Sequence, residues 1–203
     1  NEVFPIIGMS PGNSYFNDEN TRFVLKAVIN RYGCGAVFVP DIPAISTYKA
    51  LGYDQSKARS KAVLKGNNLK NRTRRLLEDL QCDTVAIIDW EKDVEGKSAY
   101  QDAYENIRRL YEDNVEFCQV ANDTTADVLD GAQKAKISHG QIQTAVEYLL
   151  AEIAFMEFAP KHFDASKAVY VYHRPWPVYQ DYIAGKFDGI PKEHLGFEQM
   201  AAD

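Results

Sequence analysis

Apolar residues fall along this chain in short runs set between longer stretches of helical spacing. Residues 3–7 form one such run, closed by Gly8, the pattern of a buried strand followed by a loop. Residues 36–39 repeat it and stop at Pro40-Asp41. Residues 84–88 and 168–172 are two more runs, and 115–120 reads as a further strand. The last run meets Arg174-Pro175-Trp176-Pro177, which cannot continue a ladder. Between the strands, residues 17–31 carry Phe23, Ala27 and Ile29 near the helical period, and Gly33 follows their end. Residues 43–51, 55–80, 100–112 and 138–157 also read as helices, with Gly66-Asn67-Asn68 a weak spot in the second. Strands alternating with helices predict an α/β fold, a parallel sheet with helices on both faces. Ligands in such sheets sit beyond the carboxyl ends of the strands. The loops after Ile7, Val39, Ile88 and Tyr172 are therefore expected around one crevice.

Size and composition narrow the class. A chain of 203 residues that is 45% hydrophobic is expected to form one domain over 1–203 with its own core. No apolar run approaches the ~20 residues of a membrane span. Cys34, Cys82 and Cys118 are an odd, widely spaced set, which argues against a disulfide scaffold and for a reduced, cytoplasmic protein. Neither Cys-x-x-Cys nor a tight His cluster occurs, so no metal is expected.

Charge is segregated. Net charge is −6, yet Lys57, Arg59, Lys61, Lys65, Lys70, Arg72, Arg74 and Arg75 sit in a segment, residues 55–77, that holds no acid. Without these eight, the rest of the chain carries 15 bases against 29 acids. A solvated helix face ordinarily mixes Glu with Lys; this one does not. Cations at this density suit a phosphate backbone and read no bases. The same segment places Ala62, Leu69, Leu76 and Leu80 on a buried side.

Gly8-Met9-Ser10-Pro11-Gly12 satisfies the Gly-x-Ser-x-Gly pattern of a nucleophile elbow. The elbow's oxyanion hole, however, uses the N–H of the residue after the serine, and Pro11 has none. Losing one such donor costs about 3 kcal/mol in the transition state. A serine just past a buried strand remains well placed for chemistry, and Gly8 would let a substrate approach the backbone. Ser-Pro-Gly-Asn is also ordinary turn chemistry. On the 138–157 helix, Tyr148, Glu152 and Phe155 share a face at i, i+4 and i+7. A carboxylate on so apolar a helix needs a cation or donors; a bound ammonium would serve Glu152, with the Tyr148 hydroxyl as second acceptor. An internal salt bridge or a surface Glu beside a half-buried Tyr are the plainer alternatives. Tyr170 and Tyr172 share one strand face and His173 points to the other.

These segments together resemble the cyclodipeptide synthases. Residues 8–16, Gly-Met-Ser-Pro-Gly-Asn-Ser-Tyr-Phe after Ile6-Ile7, are similar to that family's nucleophile loop. Tyr148-Leu149-Leu150-Ala151-Glu152 is similar to its Tyr-aliphatic-x-x-Glu motif. Asn13, Tyr172 and His173 match the triplet of one of its two subfamilies, and Leu51-Gly52-Tyr53 before the basic segment matches its middle region. Phe4, Met9 and Ala154 depart from the pattern at flanking positions. The resemblance implies a Rossmann-like fold similar to class I aminoacyl-tRNA synthetase catalytic domains. The ATP signatures of those enzymes are absent. It further implies two aminoacyl-tRNAs as substrates, no cofactor, and a ping-pong route through an aminoacyl-enzyme and then a dipeptidyl-enzyme on Ser10. By the same resemblance Glu152 and Tyr148 hold an ammonium, Tyr172 assists proton transfer, and Asn13 and His173 support the site. Gly8 contributes backbone contact. Lys57, Lys61, Lys65, Lys70, Arg72, Arg74 and Arg75 would grip tRNA. Ile6, Phe155 and Tyr170 are expected to line the first side-chain pocket, and a monomer is expected. A serine esterase on small esters, or a tRNA-binding module without chemistry, would each use only part of this set.

Overall fold

The computed structural model describes residues 2–133 and 135–202. Five parallel strands form one sheet in the order β3-β2-β1-β4-β5. These are β1 (Val3–Gly8), β2 (Gly35–Phe38), β3 (Val85–Ile87), β4 (Lys167–Tyr172) and β5 (Leu195–Gln199). The chain runs outward from β1 to β3 on one side, then returns to place β4 against the other edge of β1. That reversal is the topological switch point where ligands of such sheets bind. The register Ile7↔Val171 brings the ends of β1 and β4 side by side there.

Helices cover both faces, as the alternation predicts. α1 (Asp18–Tyr32) and α3 (Gln55–Asp79) pack on each other and on the β1–β3 side. α6 (His139–His162) packs with α2 (Ile45–Ala50), α4 (Ser98–Asp113) and α5 (Val115–Ala132), and lies against β4 and β5. Strand alternation assigns the faces. Phe38 stacks on Phe155 of α6 with ring centroids 3.9 Å apart, whereas Gly35, of the opposite phase, faces Val28 of α1. Local chemistry supports the ends. Asn17 caps α1 by accepting from the Asn20 N–H, and Gly33 ends it at φ 74°, a left-handed position that favours glycine. Ser138 opens α6 with a reciprocal capping box to Gln141.

Residues 115–120, expected as a strand, are the first turns of α5. Val-Glu-Phe-Cys-Gln-Val has strand-like residues, but Asn114 caps the Phe117 N–H at 2.8 Å. Phe117, Ala121, Thr125 and Leu129 then bury one face at intervals of four. Three elements escaped the sequence reading: β5, α7 (Pro177–Ile183) and one π-helical turn at Trp90–Val94. Gly66 does not break α3, which is one helix of 25 residues. A Cβ there would lie 2.3 Å from the Asp41 Cβ, so the glycine admits the β2 loop rather than ending the helix. Asp41, 3% exposed, then meets Lys70 at 2.7 Å. Such a buried pair adds little net stability, because desolvation offsets the attraction; it ties α3 to the sheet edge at one register.

Candidate active site

The site gathers at the switch point from three elements. The register pairs Ile6 with Tyr170 and with Ala36, and Gly8 with Phe38, so these residues share the face that α6 covers. Ser10, two residues past Gly8, emerges over the same face. Its Oγ lies 3.0 Å from the Tyr172 hydroxyl at the end of β4. The Tyr148 hydroxyl of α6 also reaches Ser10 and Glu152. Glu152 is buried and accepts at Oε2 from the Tyr170 hydroxyl at 3.0 Å. Tyr148, Glu152 and Phe155 thus meet the sheet along one helix face, as their spacing predicts.

Burial dominates the proton chemistry. It lifts Glu152 to about 7, against a smaller downward pull from the Tyr170 and Tyr148 hydroxyls. Burial also raises Tyr148 and Tyr170 well above the ordinary phenol value, and the neighbouring carboxylate adds to this. Tyr172 is raised by burial as well, while hydrogen bonds to Ser10 and Asn13 oppose the shift. At neutral pH three neutral hydroxyls therefore surround a carboxyl poised between its two states. Chemically, that combination is suited to hold an ammonium or to accept its proton.

The loop that carries Ser10 is stiffened from both sides. The Met9 N–H donates to the Phe38 carbonyl at 2.9 Å, and Met9 is wholly buried, with its sulfur 3.7 Å from the Thr73 hydroxyl of α3. Gly12 turns the chain at φ 79°. Asn13 accepts from the Tyr15 N–H at 3.0 Å while its side chain also meets the Tyr172 hydroxyl. His173 stacks on Tyr15 at 3.9 Å and stands edge-on to Phe16. Burial lowers it to about 4, with Arg174 adding to the effect. A neutral ring with its Nδ1 buried and unpartnered backs the loop. Tyr15 and Phe16 had no assigned role in the sequence; two aromatics just after Asn13 were the available signal.

The residues expected at the pocket and at the backbone contact are closely packed. Ile6 and Phe155 have no solvent exposure, and Phe38 stacks on Phe155. Tyr170 is tied to Glu152 by its hydroxyl and is closed in by Trp176 at 5.0 Å and Tyr179 at 5.8 Å. Gly8 makes room for this tyrosine: a Cβ on Gly8 would lie 2.0 Å from the Tyr170 Oη and 2.2 Å from its Cζ. The ring has nowhere to retreat, so Gly8→Ala is expected to lower stability by about 3 kcal/mol in urea denaturation. Adding Tyr170→Leu should recover most of that loss. A Gly8→Ala protein as stable as the parent would show that the ring relaxes freely.

The basic segment divides. Lys57, Lys61, Lys65 and Arg74 are exposed on α3, with the Lys61 ammonium 4.7 Å above the Tyr53 ring. Arg59 pairs with Glu91, while Arg72 and Arg75 both pair with Asp18. Lys70, expected on the tRNA-facing surface, is instead in the buried pair with Asp41, and its ammonium is committed there. Sequence order could not reveal this, because the acid lies 29 residues away in another loop. A separate groove of about 450 Å³ lies across α6, lined among others by Trp90, Tyr100, Glu147 and Ala151; it holds none of the expected site residues. Among the described residues there is no group of three or more His, Cys, Asp or Glu able to hold a metal. No helix among them is long and apolar enough to cross a membrane.

Known proteins are similar to this chain in sequence and in fold. A cyclodipeptide synthase of Bacillus subtilis that makes cyclo(L-leucyl-L-leucyl) is 23% identical over 198 residues, 95% of this chain and 79% of that protein. The cyclo(L-leucyl-L-phenylalanyl) synthase of Streptomyces noursei is 25% identical over 179 residues, 85% of this chain and 74% of that protein. In structure, a Mycobacterium tuberculosis protein whose fold relates cyclodipeptide synthetases to type I tRNA synthetases superposes with a TM-score of 0.83 at 19% identity. That likeness covers 100% of this chain and 86% of that one. The cyclodipeptide synthase family model matches residues 4–198. A match that reaches all five strands and every residue around Ser10 means that the chain belongs to the cyclodipeptide synthase family, enzymes that make cyclic dipeptides.

Proposed function

We propose that this enzyme joins the aminoacyl groups of two charged tRNAs by a ping-pong route on Ser10, and that it falls in the subfamily marked by Asn13, Tyr172 and His173. The observation that carries the reading is the Ser10–Tyr172 hydroxyl pair at 3.0 Å beside a buried Glu152. In the first step Ser10 Oγ attacks the ester carbonyl of an aminoacyl-tRNA. The new Oγ–C bond replaces the bond to the ribose oxygen, and the serine proton leaves with that oxygen, handed across by the Tyr172 hydroxyl. Glu152 and Tyr148 hold the aminoacyl ammonium, and Glu152 accepts its proton when the amine is needed. That amine attacks the ester of a second aminoacyl-tRNA, releasing the second tRNA and leaving a dipeptidyl ester on Ser10. The new terminal amine then attacks this ester, closes the six-membered ring and returns a proton to Ser10.

The energetics suit so weakly activated a serine. Exchange of one ester for another is nearly isoenergetic and amide formation from an ester is downhill, so positioning of a reactive substrate supplies most of what is needed. Asn13 and His173 act on geometry, one through the Tyr172 hydroxyl and the other through the loop behind Ser10. The exposed cations of α3 supply charge for the tRNA backbone.

The test is a covalent intermediate. Purified enzyme mixed with a single aminoacyl-tRNA and quenched in acid should gain the mass of one aminoacyl group, located by peptide mapping to residue 10. An adduct on another residue would overturn the assignment of the nucleophile. No adduct during active turnover would favour direct transfer between the two tRNAs.

A further inference from the structure

The helix that bears the cations also touches the loop that bears the nucleophile, and one acid stands between them. Arg72 Nε lies 2.9 Å from Asp18 Oδ1, and Arg75 Nη2 lies 2.8 Å from Asp18 Oδ2. Each carboxylate oxygen is thus taken by its own guanidinium. Arg72 also donates from Nη1 to the Phe16 carbonyl, within the stretch that packs against His173 and Tyr172. Asp18 opens α1 directly after that stretch.

Two guanidiniums one helical turn apart, each holding one oxygen of a single anion, have the donor geometry that phosphate oxygens also take. Asp18 and Arg75 are well solvated, with side-chain exposures of 60% and 59%, and Arg72 is partly so at 37%. An exposed pair of this kind is weak and readily exchanged. The seat is continuous along α3 with exposed Lys61 and Lys65, and Lys65 packs beside Gly12 of the Ser10 loop.

We propose that Arg72 and Arg75 form a seat for one backbone phosphate of the tRNA, and that Asp18 occupies that seat in the free enzyme as a built-in competitor. Phosphate binding then exchanges one anion for another at the entry to the Ser10 loop. Asp18 weakens tRNA binding through this seat and leaves Arg72 directed at Phe16 when no tRNA is present. The proposal rests on the tRNA reading above and adds a residue that no phosphate-contact count along α3 would include, since it is an acid on another helix.

The experiment is binding of uncharged tRNA at low salt to four proteins: the parent, Asp18→Asn, Arg72→Gln/Arg75→Gln, and the triple variant. Asp18→Asn should tighten binding about threefold to tenfold, and this gain should vanish when both arginines are gone. Asn17 still caps α1 in that variant, so the fold is retained. Glu19→Gln, which removes an exposed charge next door, controls for net charge and should change affinity less. Unchanged or weaker binding by Asp18→Asn, or a gain that persists without the arginines or is matched by Glu19→Gln, overturns the proposal while the tRNA reading stands. A parent enzyme that makes cyclic dipeptide but binds no tRNA overturns both.

Discussion

Ser10→Ala is expected to remove cyclic dipeptide formation by about three orders of magnitude or more while leaving the protein folded. The hydroxyl contributes no packing that the alanine methyl fails to supply, and its hydrogen bond to Tyr172 lies at a partly buried position. Removing it should cost roughly 1 kcal/mol of stability. The catalytic loss is far larger, because both covalent esters of the proposed cycle form on that oxygen and no neighbouring group can replace it. Tyr172 is not a substitute nucleophile, since burial holds it in the protonated form. Mass spectrometry of medium from a bacterial host expressing the chain should show new diketopiperazine masses that are absent with Ser10→Ala. Those masses name both amino acids at once. Product persisting at even a tenth of the parent level would mean that no acyl-serine lies on the route.

Glu152→Gln should produce opposite effects on activity and stability. The substitution keeps the shape and an acceptor for the Tyr170 hydroxyl, but removes both the charge that holds an ammonium and the base that deprotonates it. General-base contributions of this kind amount to roughly 10²–10⁴ in rate. In the parent, formation of product should rise with pH through about 7 as Glu152 ionises, and the variant should lack that limb. Stability moves the other way. Burial raises the folded-state value from an ordinary 4.5 to about 7, so between these values the native state holds a proton that the unfolded chain has lost. The parent therefore loses stability as pH rises through this window, by about 3 kcal/mol in total, and levels off above it. Glu152→Gln carries no such penalty and should be the more stable protein at pH 8 in urea denaturation. A parent whose stability is flat from pH 4.5 to 8, relative to the variant, would place the ionised carboxylate beside a counter-charge.

The two effects have one cause. A carboxyl kept in an apolar helix face among three hydroxyls is costly to ionise, and that same cost brings its proton affinity into the range where it can serve an amine at neutral pH. On the proposed reading, stability yields to function at this residue, the usual trade at an active site.

Much of this molecule is written locally in its sequence. Apolar runs at residues 3–7, 36–39 and 168–172 specify buried parallel strands because a strand covered on both faces must be apolar throughout. Asn17, Gly33 and Ser138 mark helix ends through caps that act within four residues. Tyr148, Glu152 and Phe155 share a face by helical period alone. Ser10 is legible as a strand-end serine whose following proline weighs against the hydrolase oxyanion hole. The misread elements are those whose signal is weak or non-local. Residues 115–120 resemble a strand until the four-residue interval from Phe117 to Leu129 is followed over the whole segment. Leu195-Gly196-Phe197-Glu198-Gln199 becomes a strand only because β4 presents an unpaired edge.

The site divides the same way. Composition and spacing determined that a serine, a tyrosine, a glutamate and a block of cations exist at certain places along the chain. Tertiary structure decided which of them meet: Ser10 with Tyr172 across 162 residues, Gly8 with the ring of Tyr170, Lys70 with Asp41, and Asp18 with Arg72 and Arg75. The reason is physical. Helix and strand periods govern which side of an element a residue takes, and these are short-range steric facts. Which charge is neutralised, and which carboxyl is desolvated until it titrates near 7, depends on groups brought together from distant parts of the chain, and that follows only once the sheet has its order.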